Sequence, residues 1–171
     1  MEAQGVKKIY LAGGCFWGVQ GYFDQLKGVV ESQVGYANSQ VESPTYEQVC
    51  SGVTNAVETL KLTFDERLSL EEVLVRFFSI IDPFALNYQG NDIGTQYRSG
   101  IYTQDSKMLE AIYKFVESYQ QKLPRTIVTE IGELKNFYAA ESYHQKYLMK
   151  NPQGYCHIDL SAAQCPVSLE F

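Results

Sequence analysis

From Val57 to Phe64 the chain reads Val-Glu-Thr-Leu-Lys-Leu-Thr-Phe, which places Glu58, Leu60, Leu62 and Phe64 on one face of an extended segment and Thr59, Lys61 and Thr63 on the other. Such a segment commits the fold to a sheet with a buried face, and it commits a carboxyl group to that face. Shortly afterwards Ser69-Leu70-Glu71-Glu72 forms a capping box, and Val73, Leu74, Phe77, Phe78 and Ile81 recur at helical spacing until Asp82-Pro83 stops the run. A strand carrying an acid is thus followed directly by an amphipathic helix.

Strands and helices alternate along the rest of the chain. Lys8 to Ala12 and Val29 to Tyr36 read as strands, separated by a helix from Phe16 to Leu26 that ends near Gly28. Gly100 to Thr103 is a short strand, Asp105 caps a helix reaching Lys122, and Ile127 to Ile131 reads as another strand. A last helix is expected from Asn136 to Lys150, stopped by Asn151-Pro152. The pattern is that of one compact α/β sandwich, a single catalytic domain over residues 1–171, with an irregular tail over 151–171 that carries two cysteines. A chain of 171 residues can bury a core without disulfide staples.

Charge and hydropathy exclude several classes of function. A net charge of −6 with no Lys/Arg cluster argues against nucleic-acid binding. No apolar run approaches the roughly 20 residues of a membrane span, and the N-terminus lacks a signal-like apolar segment, so a cytoplasmic location is expected. In that setting four cysteines read as catalytic or metal-binding rather than structural.

Residues 13 to 18, Gly-Gly-Cys-Phe-Trp-Gly, follow the apolar run Ile9 to Ala12 and put Cys15 at a strand-to-helix turn beside the chain's single tryptophan. Glycines permit the tight turn, and a helix starting there aims free N–H groups at the thiol, which favours the thiolate. Phe16 and Trp17 would wall such a site with aromatic surface. Glu58 has two readings: a desolvated carboxyl that stays protonated and donates a proton, or a strand end that reaches solvent. The loop from Gly90 to Ser99 offers Asp92, Gln96 and Tyr97 together, as a functional loop or as an Asx-turn with an interface tyrosine.

Taken in order, Gly-Cys-Phe-Trp-Gly at 14–18, Tyr-Glu-Gln-Val-Cys-Ser-Gly at 46–52, Glu58, Gly-Asn-Asp-Ile-Gly-Thr-Gln-Tyr-Arg-Ser at 90–99, Tyr-His-Gln-Lys-Tyr-Leu at 143–148 and Asn-Pro-Gln-Gly-Tyr-Cys at 151–156 closely resemble the A-type peptide methionine sulfoxide reductases. The resemblance runs from about residue 8 to 160. Two stretches depart from it: Asn55-Ala56-Val57-Glu58 stands where the family usually has Gly-His-Ala-Glu, and Ile81-Asp82-Pro83 where it often has His-Asp-Pro. Both spare the carboxylates.

The resemblance implies an α+β two-layer sandwich, a mixed sheet with flanking helices and a ferredoxin-like core. It also implies reduction of the S epimer of methionine sulfoxide, free or in proteins, with no cofactor and no bound metal. Cys15 would attack the sulfur, Glu58 would protonate the oxygen, and Tyr46 and Tyr97 would hydrogen-bond that oxygen. Phe16 and Trp17 would enclose the methyl, while Asp92 and Gln96 would hold the methionine backbone. Cys156 would resolve the sulfenic acid, and Cys165 would pass the disulfide to thioredoxin. The chain is expected to be a monomer without nucleic-acid or membrane partners, and Cys50 is expected to be buried and inert.

Other classes need parts the chain supplies poorly. A cysteine hydrolase requires an oriented histidine base, and only His144 and His157 are available. His144 falls within the expected last helix as a packing or surface residue, and His157 adjoins the tail. A zinc site from Cys15, Cys50, Cys156, Cys165 and His157 lacks the usual C-x₂₋₄-C pairing. A non-enzymatic redox-sensing module is the remaining class, which steady turnover of a sulfoxide with dithiothreitol separates from an enzyme.

Overall fold

The computed structural model describes residues 5–167, so the last four residues of the expected tail lie outside the described residues. Strands β1 (Lys7–Gly13), β2 (Val29–Ala37) and β3 (Val57–Phe64) alternate with helices α1 (Phe16–Phe23), α2 (Tyr46–Cys50) and α3 (Leu70–Ile80). A small hairpin, β4 (Tyr88–Gln89) and β5 (Asp92–Ile93), precedes β6 (Ser99–Thr103) and helix α4 (Ser106–Gln120). The chain continues with β7 (Glu130–Glu133), β8 (Phe137–Ala139) and a single turn of helix, α5 (Tyr147–Lys150).

Six strands form a mixed sheet in the order β7-β6-β1-β3-β2-β8, with β6 and β7 parallel and the other neighbours antiparallel. Its inner four strands, ordered β6-β1-β3-β2 and connected as β1-α1-β2-β3-α3-β6, make the ferredoxin-like core. Helices cover one face. Ile9, Leu11, Leu60, Leu62 and Ile101 from the sheet pack there against Val19 and Phe23 of α1, Leu74 and Phe77 of α3 and Ile112 of α4. The opposite face carries a smaller cluster of Tyr10, Ala12, Ala37, Val57, Tyr102 and Leu134, flanked by Phe137. That cover explains why Thr59 and Thr63, expected on the polar side of β3, are buried as well; the Thr59 hydroxyl donates to the Val57 carbonyl.

Local sequence signals set the element ends. Ser69 caps α3 through the amide of Glu72, and Asp105 caps α4 through the amides of Lys107 and Met108. Two expectations fail. The strand expected over Ile127 to Ile131 begins only at Glu130, because the amide of Val128 binds the Pro83 carbonyl and the Thr129 hydroxyl pairs with that of Ser99 before parallel pairing with β6 starts. The helix expected from Asn136 to Lys150 is β8, a 3₁₀ turn at Ser142–His144 and the short α5. Tyr138 pairs with Tyr36, and the Gln145 amide group both accepts from the Val34 N–H at 2.9 Å and donates to its carbonyl at 2.8 Å, extending the edge of β2 as a further strand residue would. Lys146, at φ 56°, then turns the chain into α5.

Beyond α5 the tail lies along α1. Ile158 sits against Gly18 and Leu160 against Gly21, and a 3₁₀ turn at Leu160–Gln164 follows. Ile158 and Ala163 are buried members of the main core.

Candidate active site

Cys15 occupies the N-cap of α1, directly after Gly14. Gly14 has φ +88°, and a Cβ there would come within 2.7 Å of the Gln89 side chain, so the turn that presents the thiol admits no larger residue. The thiol is 7% exposed. Its neighbour's amide, Phe16 N–H, donates to Glu58 Oε1 at 3.3 Å, so the first free N–H of α1 ties the carboxyl to the thiol's own turn.

Glu58 is 1% exposed, and its Oε2 has no hydrogen-bond partner among the described residues. Burial pushes its pKa up to about 8; the Phe16 N–H opposes the rise and the Asp92 charge adds to it. Of the two sequence readings, the one in which the strand end reaches solvent fails: the carboxyl is buried. The expected thiolate is not favoured in the resting protein. Burial and the charge of Glu58 push the Cys15 thiol well above the ordinary range, against a lowering by the Trp17 amide. Desolvation outweighs the helix terminus here.

Tyr46 begins α2, which Thr45 caps in a full capping box. Glu141 fixes its position: Oε2 accepts from the Tyr46 amide at 3.1 Å while Oε1 accepts from the Tyr36 hydroxyl at 2.8 Å. Tyr97 ends a 3₁₀ turn at Thr95–Tyr97, held by Arg98, whose guanidinium donates to Thr95 O and Asn55 O. Both phenols are raised by burial and then by the Glu58 charge, which puts both hydroxyls in the field of that carboxyl in their protonated, donating form. Asp92, on β5, acts on Cys15, Glu58 and Tyr97 alike. Gln96 is buried with its amide folded over Gly94, in the space a Cβ there would fill.

Phe16 is fully buried against Tyr36 and His144. Trp17 is half-buried, stacked on Tyr147 at 3.8 Å, and its indole N–H donates to His144 Nδ1 at 3.0 Å. Cys156 is half-buried over the first turn of α1: its Sγ would lie 2.9 Å from a Cβ on Gly18, and it donates to the Ile158 carbonyl at 3.1 Å. Cys165 is exposed. Cys50, expected to be buried, is exposed too, because the short α2 buries only Val49; its thiol lies within hydrogen-bonding reach of the Tyr46 hydroxyl.

The sequence reading gave His144 and His157 no part in this site and did not single out Glu141. His144 is 1% exposed in its 3₁₀ turn, with Phe16, Trp17, Tyr46 and Tyr143 around it, and burial holds its pKa below the ordinary range. Its Nδ1 is occupied by Trp17, so it is not poised as a base for Cys15. His157 faces Asp92 at 4.0 Å and crowds Gly14. Glu141 carried no signal, since its partners Tyr36 and Tyr46 lie about a hundred residues away in sequence.

A thiol, a buried carboxyl, two phenols and an aromatic wall thus converge at the start of α1, with a second thiol one helical turn along. The described residues include no helix long and apolar enough to cross a membrane.

The profile of the peptide methionine sulfoxide reductases matches residues 7–168, and the chain belongs to that family. A peptide methionine sulfoxide reductase MsrA of Clostridium botulinum is 56% identical over 156 residues, 91% of this chain and 99% of the relative. Mxr1 of Saccharomyces cerevisiae in its reduced form superposes with a TM-score of 0.84 at 42% identity, covering 91% of each chain. The same yeast protein in complex with Trx2 superposes with a TM-score of 0.61 at 28% identity, over 85% of this chain and 87% of that one.

Proposed function

We propose that this methionine sulfoxide reductase acts on the S epimer, free or within proteins, through a sulfenic acid on Cys15, and that thioredoxin returns the thiols. The observation that carries the reading is the buried Glu58 carboxyl, its pKa pushed up to about 8 by burial and its Oε1 joined by the Phe16 amide to the turn that bears Cys15.

A sulfoxide has a polarised S–O bond, an electrophilic sulfur and an apolar methyl. In the proposed step Glu58 gives its proton to the oxygen, with Tyr46 and Tyr97 donating hydrogen bonds to it as negative charge gathers there. Phe16 and Trp17 hold the methyl, and Asp92 and Gln96 the methionine backbone. The Cys15 sulfur bonds to the substrate sulfur; the hydroxyl made from the sulfoxide oxygen then passes to Cys15, so that the substrate's S–O bond and the new S–S bond both break and leave methionine and Cys15 S–OH. Substrate sulfur is reduced by two electrons and Cys15 is oxidised by two; the thiol's proton restores Glu58.

Cys156 then displaces water from the sulfenic acid and forms the Cys15 to Cys156 disulfide. Cys165 attacks that disulfide at Cys156, which frees Cys15 and leaves a bond between Cys156 and Cys165 on the exposed tail. The dithiol of thioredoxin reduces it, in keeping with the Trx2 complex of the yeast relative. Residues 1–171 act as one catalytic domain, a monomer in a reducing cytoplasm.

Turnover of each resolved epimer by wild type, Cys15→Ser and Cys156→Ser tests the reading. Wild type turns over only the S epimer, Cys15→Ser is inactive, and Cys156→Ser releases one equivalent of methionine and stops. Equal use of both epimers, or methionine release by Cys15→Ser, overturns it.

A further inference from the structure

Arg76 of α3 is a guanidinium with 6% exposure that no step above uses. Its Nε donates to Glu72 Oε2 at 2.8 Å, one turn back on the same helix, and Nη1 donates to the Tyr22 hydroxyl of α1 at 3.1 Å. Its remaining bonds go to the tail: Nη1 to the Ala163 carbonyl at 3.4 Å and Nη2 to the Cys165 carbonyl at 3.1 Å. A planar, permanently charged fork therefore clamps the main chain on either side of Gln164. Gln25 adds two exposed ties, donating to the Leu160 carbonyl and accepting from the Gln164 amide, each at 2.8 Å.

The clamp is at the wrong place for chemistry. Cys156 is seated at the level of Gly18, whereas the Cys165 backbone is held at the level of Tyr22 and Gln25. At about 1.5 Å per residue of helix, Gly18 and Tyr22 are about 6 Å apart along α1. Disulfide formation needs Cα atoms within about 7 Å and Cβ atoms near 4 Å, turned toward each other. By the time of the second exchange Cys156 is engaged with Cys15 at the N-cap of α1, so Cys165 is the partner that has to move, and the seat that must empty is the one on Arg76.

We propose that Arg76 is a positioning residue that restrains Cys165, so that the bond between Cys156 and Cys165 forms only after the clamp on the Ala163 and Cys165 carbonyls opens. The inference rests on the thiol relay proposed above. Hydrogen bonds from a charged donor to two carbonyls are strong enough for their removal to speed that exchange about tenfold.

The test mixes the full chain with one equivalent of methionine sulfoxide, quenches with N-ethylmaleimide at intervals and assigns the disulfides by peptide mass spectrometry. In Arg76→Met, methionine release and the bond between Cys15 and Cys156 keep wild-type rates, while the bond between Cys156 and Cys165 appears about tenfold sooner. Arg76→Lys, which keeps the charge beside Glu72 without the planar fork, shows a smaller acceleration and serves if the methionine variant does not fold. Tyr22→Phe removes a buried partner of Arg76 outside the tail and leaves every rate unchanged, which separates the clamp from general loosening. An unchanged or slower second exchange in both Arg76 variants overturns the proposal alone. A wild type that forms no bond between Cys156 and Cys165 overturns the relay, and the clamp with it.

Discussion

Replacing Glu58 by glutamine separates the stability of this fold from its chemistry. The Glu58 carboxyl titrates near 8 in the folded protein against an ordinary value of 4.5. Below about pH 4.5 folded and unfolded chains both hold the proton, and the group costs nothing. Between 4.5 and 8 the unfolded chain has released a proton that the folded chain keeps, so unfolding gains on folding as pH rises. At about 1.4 kcal/mol per tenfold, that interval amounts to about 5 kcal/mol of stability forgone by pH 8. Glutamine keeps an oxygen for the Phe16 amide but has nothing to ionise. Chemical denaturation should therefore show Glu58→Gln and wild type close together at pH 4.5, with the variant pulling ahead by several kcal/mol toward pH 8. The same variant should lose about 10² to 10⁴ in the rate of methionine release in a single turnover. Wild-type release should itself fall as pH passes about 8 and the acid ionises. Parallel stability curves, or a rate loss below fivefold, would refute the buried-acid reasoning.

Gly18→Ala puts a methyl 2.9 Å from Cys156 Sγ and 3.1 Å from Ile158, so the disulfide between Cys15 and Cys156 should form at least tenfold more slowly while single-turnover methionine release is unchanged; quenched disulfide mapping reads both. Tyr46→Phe and Tyr97→Phe each remove one proposed donor to the oxygen and should each slow the chemical step about tenfold or more, measured as single-turnover methionine release with little change in stability. His144 must be neutral to accept from Trp17, and burial lowers its pKa, so the bond persists through neutral pH and breaks only as pH falls below the ordinary histidine range. Fluorescence of the single tryptophan should shift in that acid range in wild type and stay flat in His144→Phe.

How much of this was legible in advance varied with the range of the forces involved. β3 and α3 were readable because their own residues decide them: strict alternation in one, a cap followed by a helical stripe in the other. Cys15 and Glu58 were readable for the same reason, one at a glycine turn and the other on an apolar face. The segment from Asn136 to Lys150 was not, because its conformation is set by β2, about a hundred residues earlier, through Tyr36 and Val34. His144 packs inside, one of the two readings open to it, but in a 3₁₀ turn rather than a long helix, and its bond to Trp17 is one that no helical pattern encodes. The thiolate expected at Cys15 failed on magnitude. A helix terminus contributes typically 0.3 to 1 kcal/mol at an exposed site, and the thiol is buried beside a carboxyl.

The placement of Glu58 on β3 has a further consequence for accuracy. β3 lies inside the sheet, bonded to β1 on one side and β2 on the other. A slip of one residue along either neighbour would turn Leu60, Leu62 and Phe64 out of the core together with the acid. The oil-water separation that folds the protein therefore also proofreads the aim of its proposed proton donor, and a misregistered copy is eliminated as a folding failure before it can exist as a faulty catalyst.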